Sequence, residues 1–185
     1  MDFLSFIQIM KQELVLAVIL FLLLFIKLGS KEWKTESLLN FINLLLFVNL
    51  VAGFVWNAEG SLFGGMYRSN ALFVFEKNVL NLGAFLISLQ SFNWLKQHKH
   101  APEFYMLLLS SLMGMQFLIS SQHLLMFYLS LELSTIPLAA LVNFDLEKKR
   151  SSEAAMKMIF SSAFASGLLL FGISMFYGTT GTLVF

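Results

Sequence analysis

The chain has no cysteine and only two prolines in 185 residues. Without cysteine there is no disulfide framework, no thiolate ligand for an iron–sulfur cluster or zinc, and no nucleophilic thiol, which removes several enzyme classes together. Charge is scarce as well, 12% of residues, and the net value of +1 supplies no basic field that would gather DNA or RNA. The few Lys and Arg sit in short clusters between apolar runs rather than along one face, so nucleic acid is excluded as a partner. Catalytic signatures are missing too. There is no dinucleotide fingerprint, phosphate loop, nucleophile elbow or HExxH, and the glycines of "LFGGMY" do not lie between a strand and a helix. Chemistry on a soluble substrate is not expected of these residues.

What is abundant is apolar surface: 58% hydrophobic residues, 21 of them Phe. This is the composition of a chain solvated by lipid. The opening run "MDFLSFIQIMKQELVLAVILFLLLFIKL" lacks a basic leader and a small-residue cleavage site, so it reads as a retained anchor rather than a signal peptide. A helix needs about 20 apolar residues to cross the hydrocarbon. Six segments qualify: residues 12–28, 37–56, 71–95, 104–121, 124–144 and 154–177. The expected fold is therefore all-α, a polytopic membrane protein of six transmembrane helices. The link "SSQH" forces the fourth and fifth into a tight antiparallel hairpin, and the Gly- and Asn-rich "NAEGSLFGGMYRSN" is long enough to fold back across the mouth of the bundle.

Basic residues set the orientation. Lys27, Lys31, Lys34, Lys96, Lys99, Lys148, Lys149 and Arg150 lie in links on one side, and Lys11, Arg68 and Lys77 fall on the other. The bias places the 29–36, 96–103 and 145–153 links in the cytoplasm and both termini outside. After the sixth segment only "GTTGTLVF" remains, which reads as the opening of a further segment, so the chain is expected to be a fragment of a longer protein.

The stretch "FYLSLELSTIPLAALV" raises the chemical question. Glu132 is the ninth residue of the fifth segment, too deep and too short to reach either surface, and an ionised group there costs about 2.5–3.5 kcal/mol on insertion scales. Desolvation favours its protonated form and a nearby cation its ionised form, and a carboxyl balanced between the two takes up and releases a proton. The alternative is a structural acid, protonated and hydrogen-bonded to a neighbouring helix. Tyr128 and Thr135 share its helix face and widen it into a polar strip. Pro137 cannot donate to the carbonyl of Leu133 and is expected to bend the helix there.

Lys157 is the second embedded charge. It either pairs with Glu153 one turn earlier and snorkels, or faces inward near Glu132 or on a cytoplasmic entry path. Ser110 and Gly114 in the fourth segment, and Ala163 and Gly167 in the sixth, repeat the small-xxx-small spacing of close helix packing. Gln116 is available for an interhelical hydrogen bond or a water. Asn40, Asn43, Asn78 and Asn81 are expected to do similar work in the second and third segments. His98, His100 and His123 have no metal-ligand spacing, and no metal site is expected.

The run "EFYMLLLSSLMGMQFLISSQHLLMFYLSLELSTIPLAALVNF", followed by "SSEAAMKMIFSSAFASGLLLFGISMFYGTTGT", resembles subunit N of bacterial NADH-quinone oxidoreductase, respiratory complex I. The resemblance is close over residues 103–182 and looser before them. It implies an antiporter-like membrane subunit of about fourteen helices, of which the six here are the N-terminal part. Residues 1–102 would be three N-terminal helices, and residues 103–185 the truncated start of the first of two inverted repeats. In that family a glutamate matched by Glu132 pairs with a lysine on a later, broken helix that this sequence does not reach. Lys157 matches a sixth-helix lysine of less secure role.

The activity implied is proton translocation coupled to quinone reduction, by the chain as one subunit of a translocase rather than alone. No cofactor is expected on this chain; NADH, FMN, iron–sulfur clusters and quinone would belong to the wider complex. Its partners would be other membrane subunits and the lipid of a bacterial inner membrane. Two alternatives stay open: a cation/proton antiporter subunit of the multi-subunit type, and a non-catalytic assembly subunit.

Overall fold

A computed structural model describes residues 3–29, 34–55, 59–98 and 100–185. Lys31, Lys99, residue 56 at the end of the second expected segment and the first two residues of the Gly-rich loop lie outside the described residues. Seven α-helices follow in order: α1 (Phe3–Ile9), α2 (Lys11–Leu28), α3 (Thr35–Gly53), α4 (Ala71–Leu95), α5 (Ala101–Ser120), α6 (Leu124–Val142) and α7 (Lys149–Thr180). Six of these occupy the six expected segments. The seventh, α1, went unread because only one residue, Met10, separates it from α2, so the apolar pattern runs through both.

Among the described residues, five helices, α3 to α7, are long and apolar enough to span a membrane, and the 7-residue α1 is too short. The other exception is α2, which carries Lys11, Glu13 and Lys27 in 18 residues yet buries Leu16, Ile19 and Leu23 in the middle of the bundle. That i, i+3, i+7 stripe meets a matching one on α3, Leu39, Ile42 and Leu46, and Tyr105, Leu109 and Leu112 of α5 complete the core. Its charges are tolerated because Glu13 and Lys27 both find partners, Lys77 and Glu103.

Local signals fix the helix ends. Asn70 caps α4, its side chain accepting from the Phe73 amide at 2.8 Å, and Pro102 occupies the first turn of α5, where an absent N–H costs nothing. Gly181, at φ 68°, closes α7 by donating to the Tyr177 carbonyl, a left-handed cap that a side chain would resist.

Between α3 and α4 the chain makes a small antiparallel hairpin, β1 (Gly60–Leu62) with β2 (Tyr67–Ser69), which the all-α reading did not contain. Gly64 and Gly65 make the turn at positive φ, 66° and 93°. The hairpin covers one end of the bundle. Tyr67 bridges to Ser121 in the α5–α6 turn, Gln122 donates to the Met66 carbonyl, and the last residues return to the same turn through Leu124 to Leu183 and Phe185 to Gln122.

The α5–α6 hairpin is the tightest packing in the fold. Gly114 lies against the α6 backbone, where an added Cβ would meet the Ser134 nitrogen at 2.4 Å, and Ser111 donates to the Ser134 carbonyl at 2.9 Å. By contrast α7 is nearly bare. Ala155, Ser166 and Ile173 are its buried residues, while Phe160, Phe164 and Phe171 point outward. At the end opposite the hairpin, Lys27–Glu103 and Lys96–Glu36 tie α2 to α5 and α4 to α3.

Candidate functional site

Glu132 stands where its position in the helix implies, at the ninth residue of α6, about 12 Å along the axis. The residue is half-buried, and its Oε1 is buried with no hydrogen-bond partner among the described residues. A buried polar oxygen without a hydrogen-bond partner is costly to keep, which makes this position a candidate site and not a packing position. Tyr128 and Thr135 are half-buried on the same helix, and the Thr135 hydroxyl lies 3.4 Å from the Glu132 carbonyl oxygen, on its backbone and not its carboxylate. Pro137 lies inside α6, whose helix continues past it to Val142.

The other residues singled out from the sequence do not converge on Glu132. Lys157 is exposed on α7 and pairs with Glu153 at 2.6 Å. Gln116 is fully buried but donates to Asn81 of α4, away from α6, at 2.8 Å. Ser110 bonds its own helix through the Met106 carbonyl. Ala163 and Gly167 face outward, and nothing lies within 4 Å of a Cβ added at Gly167. Asn40 is exposed, against the expectation of an interhelical bond, because its position falls on the outer face of α3, while Asn43 bonds Ser88 and Asn49 bonds Asn81.

A second polar centre lies under the hairpin. Glu13 and Lys77 are 2% and 1% exposed, and their side chains meet at 2.5 Å. Counting Lys77 with the basic residues of the outer links overlooked it: six residues into α4 it points into the bundle, where Glu13 of α2 compensates it. Tyr67, fully buried, bonds both, its hydroxyl 2.9 Å from Glu13 Oε1 and 2.9 Å from Lys77 Nζ. Burial and the Glu13 charge push the Tyr67 phenol far above its ordinary pKa, so it is a permanent neutral donor. Beside them Gln12 donates to Asn78 at 2.7 Å, and Asn78 donates to the Gly53 carbonyl at 3.1 Å.

One turn deeper, Asn81 accepts from both Asn49 and Gln116. Deeper still, Ser88 bonds Tyr105 and Asn43. The sequence signal was available, a lysine and two asparagines at helical spacing in "EKNVLNLG", together with a glutamate in the first turn of an apolar helix. No group of three metal-ligating side chains occurs among the described residues.

Residues 121–185 match the family model described as NADH:quinone oxidoreductase/Mrp antiporter, transmembrane. NADH-quinone oxidoreductase subunit N of Phocaeicola vulgatus is 44% identical over 173 residues, 91% of this chain and 35% of that protein. The chain belongs to the antiporter-like membrane subunits. Subunit N of Azobacteroides pseudotrichonymphae is 37% identical over 187 residues, covering 98% of this chain and 39% of the relative. Among solved structures, a chain of respiratory complex I from Thermus thermophilus with bound aureothin superposes with a TM-score of 0.77 at 27% identity, over 94% of this chain and 38% of that one. A chain of the membrane-bound sulfane sulfur reductase, an archaeal respiratory membrane complex, shares the fold at a TM-score of 0.70 and 22% identity. The chain spans little more than a third of the length of the curated relatives it matches. As a member of this family, it is a multi-pass membrane protein.

Proposed function

We propose that this antiporter-like chain is the N-terminal part of subunit N of a bacterial proton-translocating NADH:quinone oxidoreductase, and that Glu132 is a proton-handling group in it. The observation behind this reading is the buried, unpartnered Oε1 of Glu132 in a helix of membrane-spanning length, in a chain with subunit N relatives along most of its length. A carboxyl so placed changes ionisation when the charge near it changes. Electrostatic coupling to an arriving or departing cation converts a redox-driven rearrangement elsewhere into protonation here. The cation implied by the resemblance is a lysine outside these residues. Lys157, paired with Glu153, is the chain's own candidate for relaying charge near α6, since α7 packs on α6.

In the same reading, residues 1–102 form an N-terminal helical unit and residues 103–185 begin the antiporter-like repeat. NADH, FMN, iron–sulfur clusters and quinone are bound by other subunits, both termini face the periplasm, and the bare apolar faces meet lipid or neighbouring membrane subunits. The reading is tested by Glu132→Gln in the complete complex reconstituted into vesicles. Proton pumping per quinone reduced falls severalfold in complexes that assemble normally; unchanged pumping removes Glu132 from the path.

The description of the matching family also names Mrp antiporters, which keeps a second reading in view. Sodium-dependent proton exchange in the absence of quinone would favour it.

A further inference from the structure

We propose that Glu13 and Lys77 form a second proton-exchange site, separate from Glu132, which takes up and releases a proton at the hairpin-covered end of the bundle through one bound water. Both residues are at least nine-tenths buried, and Glu13 Oε2 has no partner among the described residues, although Oε1 accepts from both Lys77 and Tyr67. A cavity of about 10 Å³ lies against the pair, lined by Gln8, Lys11, Gln12, Glu13, Ser69 and Lys77. That is room for one water, and the lining offers the several polar partners a buried water needs.

The site is built from three elements, and Tyr67 also packs in an apolar cluster with Ile9, Met10 and Leu62. Glu13 comes from α2, Lys77 from α4 and Tyr67 from β2, and the hairpin that brings Tyr67 also roofs the cavity. A buried ion pair is often no more stable than an apolar pair of the same volume, so its presence here gains little for the fold. What it supplies is a carboxylate with one lone-pair face committed and one open. Among the described residues the titratable groups that meet it are Lys11 on the cavity wall, Tyr67 above and Lys77 beside, with the Ser120 hydroxyl of α5 next to Tyr67.

Exchange proceeds at the open oxygen. The cavity water delivers a proton to Glu13 Oε2, giving a neutral acid beside the Lys77 ammonium, and the water is restored from the solvent at the hairpin end. The reverse step returns the ion pair. Below the pair, Asn49 Oδ1, Asn81 Nδ2 and Gln116 Oε1 are buried without partners among the described residues, a polar tier in line with the site. The inference needs only a membrane-embedded fold, so it stands or falls apart from the reading of Glu132.

The test is a pH titration of the full-length protein, labelled with ¹³C-glutamate, by infrared spectroscopy in H₂O and D₂O. In wild type a buried carboxyl band titrates and shifts on deuteration, and it is lost in Glu13→Gln/Lys77→Met, which removes both charges and leaves neither stranded. Tyr67→Phe keeps both charges and removes one hydrogen bond to the carboxylate, so its midpoint moves up by about one pH unit. A folded double variant that retains every titrating band overturns the proposal. If the double variant does not fold, Tyr67→Phe decides alone, and a midpoint coincident with wild type overturns the proposal. A Glu132→Gln protein with normal pumping would count against the role of that residue and leave the Glu13 band in place.

Discussion

Gln116 of α5 donates to Asn81 of α4 across 2.8 Å in the buried interior, and the same Asn81 oxygen accepts from Asn49 of α3. One acceptor thus joins three helices. Such bonds average about 0.6 kcal/mol in membrane proteins, but a donor stranded by loss of its acceptor costs about 1–3 kcal/mol.

The asymmetry gives the first prediction. Gln116→Leu removes a donor together with its own unpartnered oxygen, and the thermal midpoint in lipid nanodiscs falls only slightly. Asn81→Leu strands both Gln116 and Asn49, and the drop is severalfold larger. Equal drops in the two variants would show that the shared acceptor is not the joint.

Gly53→Ala perturbs the site under the hairpin from the end of α3. A Cβ there would lie 2.0 Å from Asn78 Oδ1 and 3.0 Å from Gln12 Nε2, so Asn78 must move and release the Gly53 carbonyl. The expected loss is about 1–3 kcal/mol, the cost of overpacking. Thermal unfolding checks it.

Gly114→Ala drives α5 from α6, because the new methyl meets backbone and not a flexible tip. The same overpacking cost, about 1–3 kcal/mol, is expected, with exchange of the α6 amides accelerated. Gly83→Ala is the control: nothing lies within 4 Å of its Cβ, and alanine is the better helix former by about 1 kcal/mol, so stability is kept or rises.

Lys157→Ala removes an exposed pair with Glu153, whose side chains are 75% and 65% accessible. Pairs of this kind contribute about 0–1 kcal/mol, so the thermal midpoint stays within a degree or two of wild type. Proton pumping in the reconstituted complex is the discriminating measurement. Slower pumping at unchanged stability assigns Lys157 to transport, and unchanged pumping leaves it a surface pair.

Much of this was legible without coordinates. The six apolar segments are periodic only in hydrophobicity, yet each reappears as a helix, since in lipid a backbone must satisfy its own hydrogen bonds. The place of Glu132 was legible from the same segments, as the ninth residue of the helix that became α6. The hairpin was harder to read: its strands are three residues each, its turn depends on positive φ at Gly64 and Gly65, and its pairing reaches Ser121 some fifty residues away.

The linear order of residues by itself determined that this is a membrane protein, where its long apolar helices lie, and that Glu132 sits at mid-helix, because position along a helix follows from helical rise and apolar length alone. Which polar groups meet was decided only by the tertiary structure. Lys77 and Glu13 are 64 positions apart, Gln116 and Asn81 are 35 apart, and helix packing, not sequence distance, turns each pair inward to the same point. A charge counted as a loop residue thereby became half of a buried ion pair, since rotation about the helix axis is set by neighbouring helices that a single segment does not encode.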